Sequence, residues 1–565
     1  VRASNILTAT LVARWKKRNL VPAHACRTGL SVCLCACACG AARAVPPAAG
    51  DPDHTEFEAT LSTPYRAAEG GARSVTLYFS YPDGGRTHRL RWRLDLLGPD
   101  GSTLKQWQGA QLLGSTPQTV TLPWQAEAIP SGTAATPASR YRLRLQASAS
   151  NGHGAVARAT QSRDVALGAP AAASLAAPVT PAATVLPYTI YLGNLHSQTN
   201  HSDGGGALPG CNSAQPPQSA ALGPADAYAF AHAHGLDFLM TSEHNHMYDG
   251  SDGSNPDADP AAAVALYRTG LQAASDYDDA HPGFVALYGQ EWGVISHGGH
   301  LNILNSEQLL GWERNRQGQL IADAETPRGD YAGLYRLMQA HGWIGQFNHP
   351  ADDQFLAAGQ PLGYTADGDA AMVLCEVLNS NAFSAHTDQA EPRHSNYEAS
   401  CNKLLAAGYH IAFSSNQDNH CANWGMSYSN RTGVLIPNGT PLSATSLMAA
   451  LRARRVYATM DANSQILLTA NGHMMGERFV NSGPLDLQVI FNNSSGRSAD
   501  SLAVLHGIPG ANGGVGAVSH SAHTQLTPAP GQHFYYARLI QDDGKLLWSA
   551  PVWVTQQAAP QALPH

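Results

Sequence analysis

Residues 236–244 read LDFLMTSEH, an apolar run long enough for one strand that ends on Glu243 and His244. Six further runs between 190 and 420 share that form: 190–196 (IYLGNLH), 284–291 (FVALYGQE), 300–304 (HLNIL), 343–349 (WIGQFNH), 372–378 (MVLCEVL) and 410–420 (HIAFSSNQDNH). Five of the seven end in a residue able to ligate a metal, the 300–304 run begins with one, and 372–378 contains Glu376. Between them lie segments with helical spacing at 224–234, 261–279, 331–341, 396–407 and 443–455, three of them closed by Gly235, Gly342 and Gly408. Strand–helix alternation of this kind predicts a parallel sheet, closed or open.

If the sheet is a β/α barrel, the C-terminal ends of its strands converge on one face, and polar residues far apart in sequence meet there. A lone histidine is weak evidence for a ligand, but repetition at equivalent positions is not. Carboxylates and imidazoles gathered out of water repel one another or change protonation unless cations join them, so the pattern points to a metal cluster.

The same residues carry a family resemblance. Residues 193–204, GNLHSQTNHSDG, resemble the H-x-H-T-x-x-S-D-G opening of the PHP (polymerase and histidinol phosphatase) superfamily, and TSEHN at 241–245 resembles its T-D-H motif. QE at 290–291, GH at 299–300, NHP at 348–350 and DNH at 418–420 resemble its later metal motifs. The spacing, with LRARRVYAT at 451–459 and LWSAPV at 547–552, is most similar to CehA/McbA-like metallohydrolases, over about 188–556.

The resemblance implies a central distorted (β/α)7 TIM-like barrel with two or three divalent metals, Zn or Mn, with Fe as an alternative. One metal would be held by His196, Glu291 and Asp418, with Glu291 bridging to a second held by His300 and His349. A third would use Asp203, His244 and His420. Two positions depart from the pattern. Gln198 stands where the second histidine of H-x-H belongs and is a weaker ligand than imidazole. Glu243 replaces the aspartate beside His244, lengthening the contact that would orient that imidazole.

The expected chemistry is attack by a metal-activated water on a phosphoester. The alternatives are a carbamate or aryl ester at the same site and, from another class, a noncatalytic metal-stabilised surface or binding protein. His297, His246 and Glu376 are candidate proton carriers or supports for the ligands. Arg393, in the EPRH loop at 391–394, is the candidate phosphate-binding cation.

Outward from this region the texture changes. Residues 45–167 alternate as strands, for instance SVTLYFS at 74–80 and LRWRLDL at 90–96, predicting an Ig-like β-sandwich. An Ala/Pro linker follows at 168–187, the hydrolase region spans 188–462, and a second β-sandwich is expected at 463–557 before a short tail at 558–565. Residues 1–44 read as a signal peptide: Arg14, Lys16, Lys17 and Arg18 precede the small apolar run 29–40 and an A-x-A site at Ala42–Ala44. The protein is thus expected in the periplasm or outside the cell, with a lipid anchor on Cys37 as the alternative.

Five of nine cysteines fall in that leader; Cys211, Cys375, Cys401 and Cys421 remain, with their pairing open. With 43% hydrophobic and 13% charged residues over 565 positions the chain is globular, and a net charge of −8 leaves no basic surface for nucleic acid. The expected partner is a small-molecule ester. No transmembrane segment is expected, and oligomeric state is left open.

Overall fold

The structure is a computed structural model and describes residues 57–67, 72–81, 86–125, 140–150, 156–166, 186–295, 298–351, 354–357, 360–361, 364–511 and 514–558. The 1–44 leader, nearly all of the 168–187 linker, nearly all of the 558–565 tail and His297 lie outside them.

Seven strands come first: β1 (Glu58–Ser62), β2 (Ala72–Ser80), β3 (His88–Leu97), β4 (Thr103–Leu113), β5 (Gln118–Gln125), β6 (Arg140–Ser150) and β7 (Val156–Ala166). They form two antiparallel sheets, β1-β2-β5 and β4-β3-β6-β7. The period of two decides which face is covered. Leu90, Trp92 and Leu94 of β3 are buried while Arg89, Arg91 and Arg93 between them stay exposed. Val75, Leu77 and Phe79 of β2 meet them in one core.

The middle region contributes β8 (Tyr188–Asn194), β9 (Phe238–His244), β10 (Val285–Trp292), β11 (Leu301–Leu304), β12 (Ile344–Phe347), β13 (Met372–Ser380), β14 (His394–Asn396), β15 (Ala412–Asn416), β16 (Arg431–Pro437) and β17 (Val456–Thr459). Its helices are α1 (Pro224–Ala233), α2 (Pro260–Ala280), α3 (Tyr331–His341), α4 (Ala366–Ala371), α5 (Glu398–Ala407) and α6 (Ala444–Arg452). Local chemistry sets their ends: the Asp259 side chain accepts from the Ala261 N–H at the start of α2, Asp330 caps α3, and Gly342 and Gly408 close α3 and α5 with positive φ.

The expected (β/α)7 barrel is not what these elements build. β8, β9 and β10 are parallel, but β11 is antiparallel to both β10 and β12, and β16 is antiparallel to β8. The ladder then runs on from β16 through β17 to C-terminal strands, so the middle and C-terminal regions share one mixed sheet of 16 strands. Strand greatly exceeds helix, with six α-helices among the described residues. Part of the reason is local. The link from Trp292 to Leu301 holds Gly293, Gly298 and Gly299, all at positive φ, and is too short for a crossover helix, so β11 must return antiparallel.

The C-terminal strands include β18 (Ser464–Ala470), β19 (Leu485–Asn493), β20 (Ala499–Gly507), β21 (Gly531–Gln541) and β22 (Leu546–Ser549). β18 and β19 belong to a separate four-stranded sheet, whereas β22, β21 and β20 extend the large one beyond β17. The expected boundary near 462 is therefore crossed by backbone pairing, Tyr457 with Ser549 and Thr459 with Leu547. Leu435, Val456, Leu467, Leu487 and Leu539 share one core across it. Disulfides join Cys211 to Cys421 and Cys375 to Cys401. No helix among the described residues is long and apolar enough to cross a membrane.

Candidate metal centre

Glu291, the residue before Trp292 at the end of β10's pairing with β11, is fully buried and is the hub of the site. His300 Nδ1 lies 3.0 Å from its Oε1 and His349 Nε2 3.2 Å; His196 Nε2 lies 3.0 Å from its Oε2 and His244 Nδ1 3.4 Å. His196 Nε2 is also 3.0 Å from Asp418 Oδ1. On the far side of the His244 ring, Nε2 is 3.7 Å from Asp203 Oδ1, which is 3.4 Å from His420 Nε2.

Three sets of ligand atoms thereby fall within 4.8 Å of one another: His196, Glu291 and His349; His244, Glu291 and His300; and Asp203, His244 and His420. These buried histidine and carboxylate groups could hold metal ions. The donor set fits: eight buried side chains, five imidazoles and three carboxylates with Asp418 included, all of types that bind divalent transition metals. Backbone conformation agrees, since His349 and Asp418 adopt positive φ, 25° and 50°, which costs a non-glycine residue about 1–3 kcal/mol and is retained where a side chain must be aimed.

Electrostatics show how the cluster behaves by itself. Burial pushes the Glu291 carboxyl upward, but His196, His300 and His244 outweigh it and hold the group well below its usual range. Asp418 is likewise held low against burial, chiefly by His196. Burial opposes charge on His196 and His420 too, yet the facing carboxylates raise both, His420 to about 10. In the protein alone the facing carboxylates thus favour a proton on His196 and on His420. Divalent cations would serve the same purpose and displace those protons.

Around this hub stand residues that aim it. Glu376 of β13 is fully buried and lies 3.2 Å from His196 Nδ1; it also accepts from the His349 N–H (2.8 Å), Asn379 Nδ2 (3.2 Å) and Asn416 Nδ2 (3.1 Å). An Nδ1 proton given to Glu376 leaves Nε2 of His196 to face the cluster. Gln198 is also placed at the hub, but its Nε2 donates to Glu291 Oε2 at 2.7 Å while its Oε1 accepts from Ser202. Glu243 turns to the 199–202 turn, accepting from Thr199 N (2.9 Å), Thr199 Oγ1 (2.6 Å) and Ser202 Oγ (2.6 Å), and burial pushes it up to about 7.

His246 is buried beside the cluster, its ring 5.6 Å from that of His244 and its Nε2 3.6 Å from Asp252. Arg393 is engaged by Glu391, Nε to Oε1 at 2.8 Å and Nη2 to Oε2 at 3.2 Å, and its guanidinium lies 4.7 Å from the Tyr78 ring centre.

Sequence reasoning missed the amides. Asn348 Nδ2 donates to Glu291 Oε1 and to Asn302 Oδ1, both at 2.8 Å. Asn302, Gln346 and Asn416 form further buried bonds beneath the cluster. Their signal was present, because amides inside otherwise apolar strand runs must find buried partners.

No family model matches the chain, and no curated protein matches it. Among solved structures, the CARDB domain of the PF1109 protein from Pyrococcus furiosus, in complex with di-metal ions, is 13% identical over 20% of this chain and 90% of that one, with a TM-score of 0.15. Beta-glucosidase 3B from Thermotoga neapolitana is 15% identical over 20% of this chain and 17% of its own, with a TM-score of 0.13. Beta-glucuronidase from Parabacteroides merdae is 8% identical over 90% of this chain and 65% of its own, with a TM-score of 0.16. This chain thus spans less than two thirds of either glycosidase. Likenesses at this level leave fold and chemistry to be argued from the residues themselves.

Proposed function

We propose that this chain is an exported, metal-dependent hydrolase that uses a metal-activated water on a phosphoester, related in its motifs to the CehA/McbA-like members of the PHP superfamily. The observation that carries the reading is the joining of three buried ligand sets through Glu291 and His244. Bound divalent ions, Zn or Mn with Fe as the alternative, would acidify a water and polarise the oxygen of the ester.

The chain's own residues prepare that chemistry. Glu376 fixes the orientation of His196, and Gln198 and Asn348 fix that of Glu291 through their amide N–H groups. Asp203, Glu291 and Asp418 contribute three negative charges, fewer than two or three divalent ions would bring, so the loaded site favours an anionic phosphoryl group. His246, buried beside His244, is the candidate proton carrier in this reading. The two disulfides support export, because such bonds persist outside a reducing cytosol.

A carbamate or aryl ester is the second reading, and Arg393 favours it. Its guanidinium is engaged by Glu391, so the cation expected to greet a phosphate is already neutralised. One experiment tests both. Protein expressed with added Zn or Mn is assayed for bound metal, then for hydrolysis of phosphomonoesters, phosphodiesters, carbamates and aryl esters. Bound metal with phosphoester turnover is expected. Turnover of carbonyl esters alone selects the second reading, and protein that binds no transition metal rejects both.

A further inference from the structure

The chain as a whole is acidic, with 34 lysines and arginines against 42 aspartates and glutamates, but one sheet of the N-terminal sandwich inverts that balance. Its strands β4, β3, β6 and β7 carry eight arginines and Lys105 against two acids, Asp95 and Asp164. The period of two sorts these side chains by face. Leu90, Trp92 and Leu94 enter the core with Tyr141 and Leu143, so Arg89, Arg91 and Arg93 stand on the opposite face. Register places Ser150, Ser148 and Gln146 of β6 across from those three arginines, and Arg144 across from Asp95.

The two acids do not neutralise this face. Asp95, fully buried, answers two arginines at once, Arg93 Nε at 2.8 Å and Arg144 Nη2 at 3.2 Å. Asp164 is taken by Arg142 at 2.9 Å and by Arg538 at 3.4 Å. Arg89 and Arg91 are exposed, and among the described residues neither has an ion-pair partner. Positive charge is therefore left at Arg89, at Arg91 and at the two arginines that share Asp95, a local field that the net charge conceals.

The rest of the face narrows the partner. The rings of these strands, Trp92, Trp107 and Tyr141, pack into the core and leave no described ring outside to stack bases or to anchor a membrane interface. Gln106, Gln108 and Gln146 are exposed among the arginines instead. Guanidinium groups take carboxylates in pairs of parallel hydrogen bonds, and amide side chains both donate to and accept from hydroxyls. We infer that this face binds an acidic polysaccharide, a hydroxyl-rich chain bearing carboxylates, and holds the protein to it. Neither Arg89 nor Arg91 belongs to the candidate metal centre, so the inference stands apart from the proposed hydrolysis.

The test uses the full-length protein with labelled oligogalacturonate, and with neutral dextran and single-stranded DNA of matched charge for comparison. Oligogalacturonate should bind at low ionic strength despite the net charge of −8, and dextran should not. DNA should bind about tenfold more weakly, for want of rings on which its bases could stack. Arg89→Gln with Arg91→Gln should lower the slope of log affinity against log salt by about two, and Arg89→Glu with Arg91→Glu should cost at least about tenfold in affinity. Arg268→Glu with Arg336→Glu, the same change of charge at exposed positions of α2 and α3, should cost less than about twofold if the field is local. Both sandwich arginines are exposed, so their replacement should leave melting temperature and metal content unchanged. Absence of oligogalacturonate binding, DNA binding of equal strength, or equal losses in the Arg89/Arg91 and Arg268/Arg336 glutamate variants overturns the inference.

Discussion

At the scale of single residues, Glu291 and Gln198 play unequal parts at one place. Glu291 faces four imidazoles, whereas Gln198 contributes one amide bond to it. Glu291→Gln should therefore abolish most metal binding and activity, and Gln198→Ala should cost about tenfold, the scale of losing a group that orients a ligand. Elemental analysis and kcat/KM check this, and a larger loss in Gln198→Ala rejects it. His394 supplies a pH dependence away from the cluster. Burial, then Arg163 and Lys545, hold it well below its ordinary 6.5, so the native protein keeps it neutral while the unfolded chain takes up a proton. The sign follows: this group leaves stability intact above about pH 6.5 and lowers it as pH falls below, by up to about 1.4 kcal/mol per unit. Urea unfolding at about pH 7.5 and 5.5 should show that loss, and His394→Gln should remove it; an unchanged slope rejects the assignment. The ligand types were legible because imidazole and carboxylate at strand ends are costly without a purpose. The role of Glu376 was not, since only the fold brings it to the Nδ1 of His196 across 180 positions.

Among elements, the Cys211–Cys421 disulfide lies where two ligand-bearing segments meet. Gly206 N–H donates to the His420 carbonyl at 3.1 Å, Ala422 N–H to that of Gly206 at 2.9 Å, and Trp424 Nε1–H to that of Gln198 at 2.9 Å. The bond thus clamps the segment carrying Asp203 against the one carrying His420. Cys211→Ser with Cys421→Ser should lower stability by about 2–4 kcal/mol. It should also release about one metal equivalent while the set around His196 and His349 stays loaded, because ligand geometry and folding are linked. Metal content after gel filtration checks this, and full retention rejects it. Pairing could not be read from the chain, as four cysteines allow three connectivities. Helix positions could be, since capping and glycine closure are local. The direction of β11 was misjudged because a strand reads the same whichever way its neighbour runs.

For the whole molecule, the N-terminal sandwich is fastened by charge as well as by shape. Arg538 of β21 spans from Glu398 of α5 (3.1 Å) to Asp164 of β7 (3.4 Å), Arg66 pairs with Asp500, and the Gln161 side chain accepts from Asn396 N–H at 2.8 Å. Arg538→Met removes the cation that joins Asp164, which keeps Arg142 at 2.9 Å, to Glu398, which keeps the Tyr536 hydroxyl at 2.8 Å, and should cost about 2 kcal/mol, the scale of hydrogen bonds to charged groups. Calorimetry should then show an early transition from loosening of the sandwich, and an unaltered thermogram rejects the linkage. Such a joint could not be foreseen, nor could the sheet that ignores the boundary expected near 462. The sequence by itself determined most of the strands, five of the six α-helices among the described residues, the residue types able to hold a metal and the alternating strands of the sandwich at the start, because propensity, capping and periodicity act over a few residues. Only the tertiary structure decided strand direction, disulfide partners and which amides serve Glu291. Those depend on burial and hydrogen bonding between segments hundreds of residues apart, which no local pattern encodes.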